Sequence, residues 1–191
     1  MDYYDRHAEQ YAEQTFTADM MQQYRHFLPF VKEGASVLDL GSGSGRDACY
    51  FQQKGYRVTA LEPSEKLCGQ IKKVFSGSLV CDQIQNYCPN EPFDAIWACA
   101  SLLHLTEKEL LDFFKGLESY LQPGGVLYFS GKKGIATGYA EDGRFFLEFN
   151  EALIERILAV NVRLKLESLW TSEDVGGRHE FRWINGIVRL K

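Results

Sequence analysis

The run Val37-Leu38-Asp39-Leu40-Gly41-Ser42-Gly43-Ser44-Gly45-Arg46-Asp47 constrains this chain more than any other stretch. An apolar strand, Ser36–Leu40, leads into a loop with glycine at every second position, and a helix over Arg46–Lys54 follows, stopped by Gly55. Glycines permit tight turning and close approach of a ligand to the backbone, and the helix N-terminus presents N–H groups without internal partners. Such a unit belongs to an open α/β sheet, where ligands bind beyond the carboxyl ends of the strands.

The rest of the sequence extends the same alternation. Tyr56–Leu61 reads as a second strand, and Ser64 is placed to cap a helix with Leu67, Ile71, Val74 and Phe75 on one stripe. Ser78–Cys81 and Phe93–Cys99 are the third and fourth strands. Thr106 and Glu109 have capping-box spacing and open a helix carrying Leu110, Phe114, Leu117 and Leu121, which Pro123-Gly124-Gly125 ends. Val126–Ser130 is a fifth strand. The long segment Gly131–Phe149 reads as a loop, and Asn150 caps a further helix. Arg163–Trp170 and Glu180–Leu190 are strands joined by too short a connection to be parallel neighbours. The expected fold is α/β: a doubly wound, mostly parallel seven-stranded sheet of Rossmann-like type with an antiparallel hairpin at one edge.

No repeat or linker divides the chain, whose 191 residues suit one domain. Residues 1–31 read as two helices, the first with Tyr4, Ala8 and Tyr11 on one face, forming a lid. Residues 35–131 form the core that binds the ligand. Residues 132–191 form a second side of loop, helix and hairpin.

Net charge is −5, and the basic residues are scattered, which argues against a nucleic-acid partner. Asp2, Asp5, Arg6, Glu9 and Glu13 are incompatible with the apolar core of a signal peptide, and no apolar run suits a membrane span. The five cysteines include no Cys-x-x-Cys pair. They read as reduced thiols filling buried space, with neither a metal site nor a disulfide framework, which fits the cytoplasm.

Two details bear on the ligand. A dinucleotide fingerprint has glycine at the first, third and sixth loop positions, but here the sixth is Arg46, and the third glycine comes one place early at Gly45. Glu62, at the end of the second strand and followed by Pro63, is placed to accept both hydroxyls of a ribose. Together they support an adenosine ligand other than a dinucleotide.

Val37–Asp47, Glu62, Asp82 and the stretch Phe93–Gly131, with its Phe93-Asp94-Ala95-Ile96 and Leu121-Gln122-Pro123-Gly124-Gly125 runs, resemble the class I methyltransferases dependent on S-adenosylmethionine (SAM). Gly45-Arg46-Asp47, Ser101–Leu105 and Asp142–Phe146 are similar to a group of small bacterial enzymes of the tellurite-resistance and small-molecule type. The resemblance implies SAM as cofactor. Gly41, Gly43 and Gly45, with Arg46 beside them, would hold its methionine part, and Asp39 would lie below, near the ammonium. Glu62 and Pro63 would meet the ribose, and Asp82, Gln83 and Ile84 the adenine. Ala98 to Ser101 would pass near the sulfonium, and Tyr11 would close the lid.

Methyl transfer from a sulfonium is an in-line displacement, so alignment supplies much of the catalysis and a base is needed only where the acceptor loses a proton. His104 is the candidate base, with packing at the start of its helix as the alternative role. Lys132, Tyr139, Arg144, Arg178 and Trp183 are candidates for the acceptor side, with His179 beside them. The expected acceptor is a small molecule. Protein or RNA methylation, SAM binding without catalysis and an NAD-linked oxidoreductase remain as alternatives. The sequence specifies no oligomeric state.

Overall fold

A computed structural model describes residues 2–191, with side chains from Tyr3 onward. Five parallel strands, β1 (Ser36–Leu40), β2 (Arg57–Leu61), β3 (Ser78–Val80), β4 (Phe93–Ala98) and β5 (Leu121–Lys133), form most of one sheet. A two-residue ribbon, β6 (Gly138–Tyr139) and β7 (Phe145–Phe146), stands apart. The sheet is completed by β8 (Leu164–Ser172) and β9 (Arg182–Leu190), giving the order β3-β2-β1-β4-β5-β9-β8. In this sheet β9 alone runs against the other six strands, as the short connection before it requires.

Seven α-helices accompany the strands among the described residues: α1 (Asp2–Arg6), α2 (Ala8–Phe16), α3 (Met21–Phe27), α4 (Arg46–Gln53), α5 (Glu65–Val74), α6 (Glu107–Lys115) and α7 (Glu151–Val160). Each sheet face has its own core. Tyr24, Phe27, Phe51 and Ile71 of α3, α4 and α5 pack with Trp97 and Tyr128 on one face. Leu110 and Phe114 of α6 and Ile154 and Ile157 of α7 pack with Ile96, Leu127 and Phe129 on the other. Burial on both faces explains why the central strands are continuously apolar rather than alternating. Each such side chain contributes roughly 1.5–3 kcal/mol of transfer free energy.

The caps follow the sequence. The Ser64 hydroxyl accepts from Leu67 N–H, Asn150 accepts from Leu153 N–H, and Thr106 and Glu109 form the reciprocal capping box. Asp5 of α1 accepts from the Ser64 hydroxyl at 2.6 Å, which ties the first helix to the start of α5. No helix among the described residues is long and apolar enough to cross a membrane.

Five expectations need correction, the first being the loop at Gly131–Phe149, which carries the end of β5 and the β6–β7 ribbon. The N-terminal segment is three α-helices rather than two, with the first interruption at His7, whose Nδ1 donates to the Tyr3 carbonyl. Helix α6 stops at Lys115, before a glycine, and Leu117–Ser119 form a separate 3-10 turn that still buries Leu117. Pro123-Gly124-Gly125 does not end that helix. It lies within β5 as an irregularity, because Leu121 already pairs with Phe93 while Val126 pairs with Ala95. Cys68 of α5 and Cys81, just past β3, form a disulfide with Cα atoms 6.2 Å apart, so not all five cysteines are thiols. Packing α5 over the sheet brings the two together, which their spacing of 13 residues does not reveal.

Candidate active site

Two adjoining cavities, of about 440 and 510 Å³, lie beyond the carboxyl ends of β1, β2 and β4. They share Tyr4, Tyr11, Gly41, Gly43, Ala100, His104 and Arg144 as walls. The first also has Glu62, Pro63, Asp82, Gln83, Ile84 and Ser101 on its wall. The second has Arg46, Cys99, Lys132, Arg178 and Trp183. Most residues assigned to an adenosine ligand thus border the first cavity and most of those assigned to an acceptor the second, but Arg46, assigned to the cofactor, borders only the second.

Three of the assigned positions lie off these walls. Asp39 and Ala98 are buried behind them, and Gly45 faces Ile71 across the start of α4. Tyr139 borders the first cavity rather than the second and is 81% exposed. His179 is exposed and borders neither.

Backbone geometry accounts for the glycines. Gly41 has φ +74°, and a Cβ there would stand 2.4 Å from the Ser101 Cβ. Gly41→Ala is expected to cost about 2 kcal/mol or more, from left-handed strain plus overpacking. A lower urea midpoint at unchanged slope would register this, and an unchanged midpoint would contradict the tight approach of loop and Ser101. At Gly43 a Cβ would lie 3.3 Å from the Tyr11 ring, so α2 rests directly on the loop.

Glu62 is almost wholly buried. Its Oε2 accepts from Gly43 N–H at 2.8 Å and its Oε1 from Ser64 N–H at 3.0 Å. Burial pushes its pKa up, and those two backbone donors act against the rise. Each oxygen keeps a second lone pair for a ligand hydroxyl.

Asp39 and Asp47 show how neighbouring carboxylates are driven apart. Burial, and then the charge of Asp47, raise the pKa of Asp39 well above the usual range, and its Oδ2 has no partner. Burial also opposes ionisation of Asp47, but Arg46, Tyr24 and Trp97 more than offset it, leaving its pKa below the ordinary value. Arg46 donates to both Asp47 oxygens at 2.7 Å, Trp97 Nε1 donates to Oδ2 at 2.9 Å, and the Tyr24 hydroxyl donates to Oδ1. Arg46 also donates to the Thr15 carbonyl at 3.3 Å, linking α2 to the loop.

His104 sits where the two cavities meet. Its Nδ1 lies 2.8 Å from the Phe145 carbonyl, which can only accept, so that nitrogen carries the proton. Nε2 is therefore a lone-pair acceptor and receives the Tyr4 hydroxyl at 2.8 Å. Burial lowers the His104 pKa to about 4, helped by the charges of Arg144 and Lys132, so the ring is neutral at physiological pH. Arg144 Nη1 lies 3.5 Å from the Tyr4 oxygen, and its guanidinium stacks 4.0 Å from the centre of the Tyr3 ring. Cys99 is pushed up to about 12 by burial, which leaves no thiolate in the second cavity.

Reading the sequence alone misses Tyr3, Phe145, Phe146, Asp174 and Phe181. Their roles come from contacts between distant segments, and only the spacing of Asp174 and Arg178, four residues apart, offers a local signal. Among the described residues no group of three or more His, Cys, Asp or Glu could hold a metal ion.

Residues 37–125 match the methyltransferase domain family. An uncharacterized methyltransferase of Geobacillus kaustophilus is 32% identical over 132 residues, 66% of this chain and 60% of the relative. The chain therefore spans about three fifths of that relative's length. Among solved structures, a Burkholderia thailandensis 1,6-didemethyltoxoflavin-N1-methyltransferase, with 1,6-didemethyltoxoflavin and S-adenosylhomocysteine bound, superposes with a TM-score of 0.72 at 19% identity. That match covers 100% of this chain and 83% of the other. A Rhodobacter sphaeroides structure named for Zn-dependent alcohol dehydrogenases gives a TM-score of 0.78 at 13% identity, covering 100% and 98%. At such identities these structures establish the shared fold.

Proposed function

We propose that this chain, whose residues 37–125 match the methyltransferase domain family, binds SAM in the first cavity and methylates a small molecule held in the second. The observation that carries this reading is the pair of cavities meeting at His104, with the ribose-type acid Glu62 on one side and the cationic wall on the other. The residues present suit the cofactor. Glu62 keeps acceptor capacity for two hydroxyls, Asp82 and Gln83 border the adenine end, and Gly43 leaves the loop open beneath the Tyr11 ring. The buried Ser101 hydroxyl, without a partner of its own, offers one more polar contact beside Gly41.

Bound SAM supplies an electrophilic methyl group on a sulfonium, which becomes a neutral thioether when the methyl leaves. The protein's part is alignment and the handling of one proton. Helices α1 and α2 cover the site through Tyr4 and Tyr11, which excludes water from the line between donor and acceptor. A proton lost by the acceptor would pass through the Tyr4 hydroxyl to Nε2 of His104, 2.8 Å away. The Phe145 carbonyl holds the ring in the tautomer that can receive it. With no thiolate at Cys99, the cysteine on its wall, the second cavity offers no competing sulfur nucleophile.

Glu62→Ala is expected to weaken binding of SAM and its demethylated product at least tenfold, since charge-assisted bonds are worth roughly 1.5–3 kcal/mol each. Calorimetry on wild type and variant, with melting curves of both ligand-free proteins, checks this. Equal affinity in a folded variant removes Glu62 from the cofactor site.

The oxidoreductase alternative draws on the fold likeness to the Rhodobacter structure, but Arg46 stands where a dinucleotide loop needs its third glycine. Its guanidinium is held by Asp47 and the Thr15 carbonyl at the mouth of α4.

A further inference from the structure

We infer that the methyl acceptor carries a carboxylate or phosphate group seated against Lys132, between Arg144 and Arg178. This rests on the reading of the second cavity as the acceptor site.

The argument begins with charge pairing on the cavity wall. Arg144 donates to Asp142 through Nε at 3.0 Å and Nη2 at 2.6 Å. Arg178 donates to Asp174 through Nε at 2.9 Å and Nη2 at 2.7 Å. Asp174 also receives the indole N–H of Trp183 at 2.9 Å, and its side chain is 1% exposed. Both carboxylates are thus committed to their own arginines. Lys132 has no ion-pair partner among the described residues. Around the lysine three cations share two carboxylates, since Glu173, on the same wall, pairs with Arg182 at 3.2 Å. Asp174 and Asp142 still attract the ammonium at a distance, but burial and the two guanidinium charges prevail.

What surrounds the ammonium makes that excess consequential. Lys132 Nζ lies 4.0 Å from the centre of the Phe146 ring and 4.6 Å from that of Phe181. Arg144 lies 5.1 Å from the same Phe146 ring, and Arg178 lies 5.3 Å from the same Phe181 ring. The two guanidinium groups therefore flank the lysine, each sharing one ring with it. A ring face attracts a cation but leaves its N–H donors without acceptors. Burial lowers the Lys132 pKa to about 8, followed by repulsion from Arg178 and Arg144. An arriving anion relieves both effects, accepting the free N–H bonds and neutralising the charge. Because Lys132 shares its cavity with His104, one small molecule can place its anionic group on the lysine and its nucleophile near Tyr4 and His104.

The test is calorimetric and needs no turnover. Wild-type protein saturated with S-adenosylhomocysteine is titrated with benzoate, phenyl phosphate and the neutral benzamide. At least one anion is expected to bind tenfold or more tightly than benzamide, and the tighter of the two identifies carboxylate or phosphate. Lys132→Met should bring that anion down to the benzamide level, while Lys132→Arg stays within threefold of wild type. Affinity for S-adenosylhomocysteine should stay within twofold in both variants. Lys132→Gln replaces the methionine variant if the latter does not fold. Benzamide binding as tightly as the anions overturns the inference, as does an anion preference that survives Lys132→Met. A parallel loss of S-adenosylhomocysteine affinity also overturns it, by assigning the ammonium to the cofactor's own carboxylate. Failure of the wild type to bind S-adenosylhomocysteine is a distinct outcome, which removes the cofactor reading and the acceptor site with it.

Discussion

Asp47→Ala is expected to destabilise the protein by about 3–5 kcal/mol, the range for breaking a buried ion pair by removing one partner. Four donated bonds converge on this carboxylate, two from Arg46 and one each from Tyr24 and Trp97. Without it, a guanidinium is left with little compensation under the glycine loop, and two buried donors lose their acceptor. For a chain of this length the loss corresponds to roughly 6–20 °C in melting temperature. The network joins α3, α4 and β4, so the loss is expected to be global rather than local. The pH sense follows from the depressed pKa of Asp47. Its contribution is complete above the unfolded value of about 3.9 and is lost as pH falls through the lower folded value. Urea melts at neutral pH check the magnitude, and a change below ~1 kcal/mol would show that Asp47 is not the acceptor on which these donors depend.

His104→Gln is expected to lower kcat by about 10²-fold or more once an acceptor is in hand, the usual range for a positioned acid or base. Cofactor affinity should change little, because the role proposed for the ring is with the proton rather than with adenosine. With its pKa near 4, the wild-type base is already neutral above about pH 5, so its activity should lose this limb only as pH falls towards 4. A glutamine variant with wild-type kcat and an unchanged acid limb would make His104 a packing residue. The same depressed pKa bears on folding. The unfolded histidine takes a proton near 6.5 while the folded one resists until about 4. Stability is therefore complete above about pH 6.5 and declines between those two values as the solution is acidified.

Much of the fold is legible in the sequence because its signals are local. Val37–Gly45 announces a strand and a ligand loop by composition alone, and Thr106 with Glu109 announces a helix start by spacing. The short Thr171–Arg178 connection requires an antiparallel pair. The misreadings share a different origin. Pro123-Gly124-Gly125 looks like a helix stop, but the chain uses it to resume pairing with β4 after a local irregularity, a fact about the neighbouring strand. The ribbon of Gly138–Tyr139 and Phe145–Phe146 is too short for periodicity to register. The disulfide of Cys68 and Cys81 depends on how α5 lies on the sheet.

The site divides in the same way. Gly41, Gly43, Glu62 and Asp82 can be assigned from their places after strands, since topology carries strand ends to one edge of the sheet. The tautomer of His104 cannot, because it depends on a carbonyl 41 residues away. Nor can the state of Lys132, which follows from two rings and two guanidinium groups drawn from separate loops. Tyr24 reads as one more apolar position on a helix, although its hydroxyl is spent on Asp47.

The measurement that tests the central claim most directly is calorimetric titration of the purified wild-type protein with SAM, S-adenosylhomocysteine and NAD. Saturable binding of the first two and none of NAD is the result expected from a Glu62 acceptor site beside a loop that lacks the third dinucleotide glycine. A folded protein that binds neither SAM nor S-adenosylhomocysteine, or that prefers NAD, would contradict the account at its base.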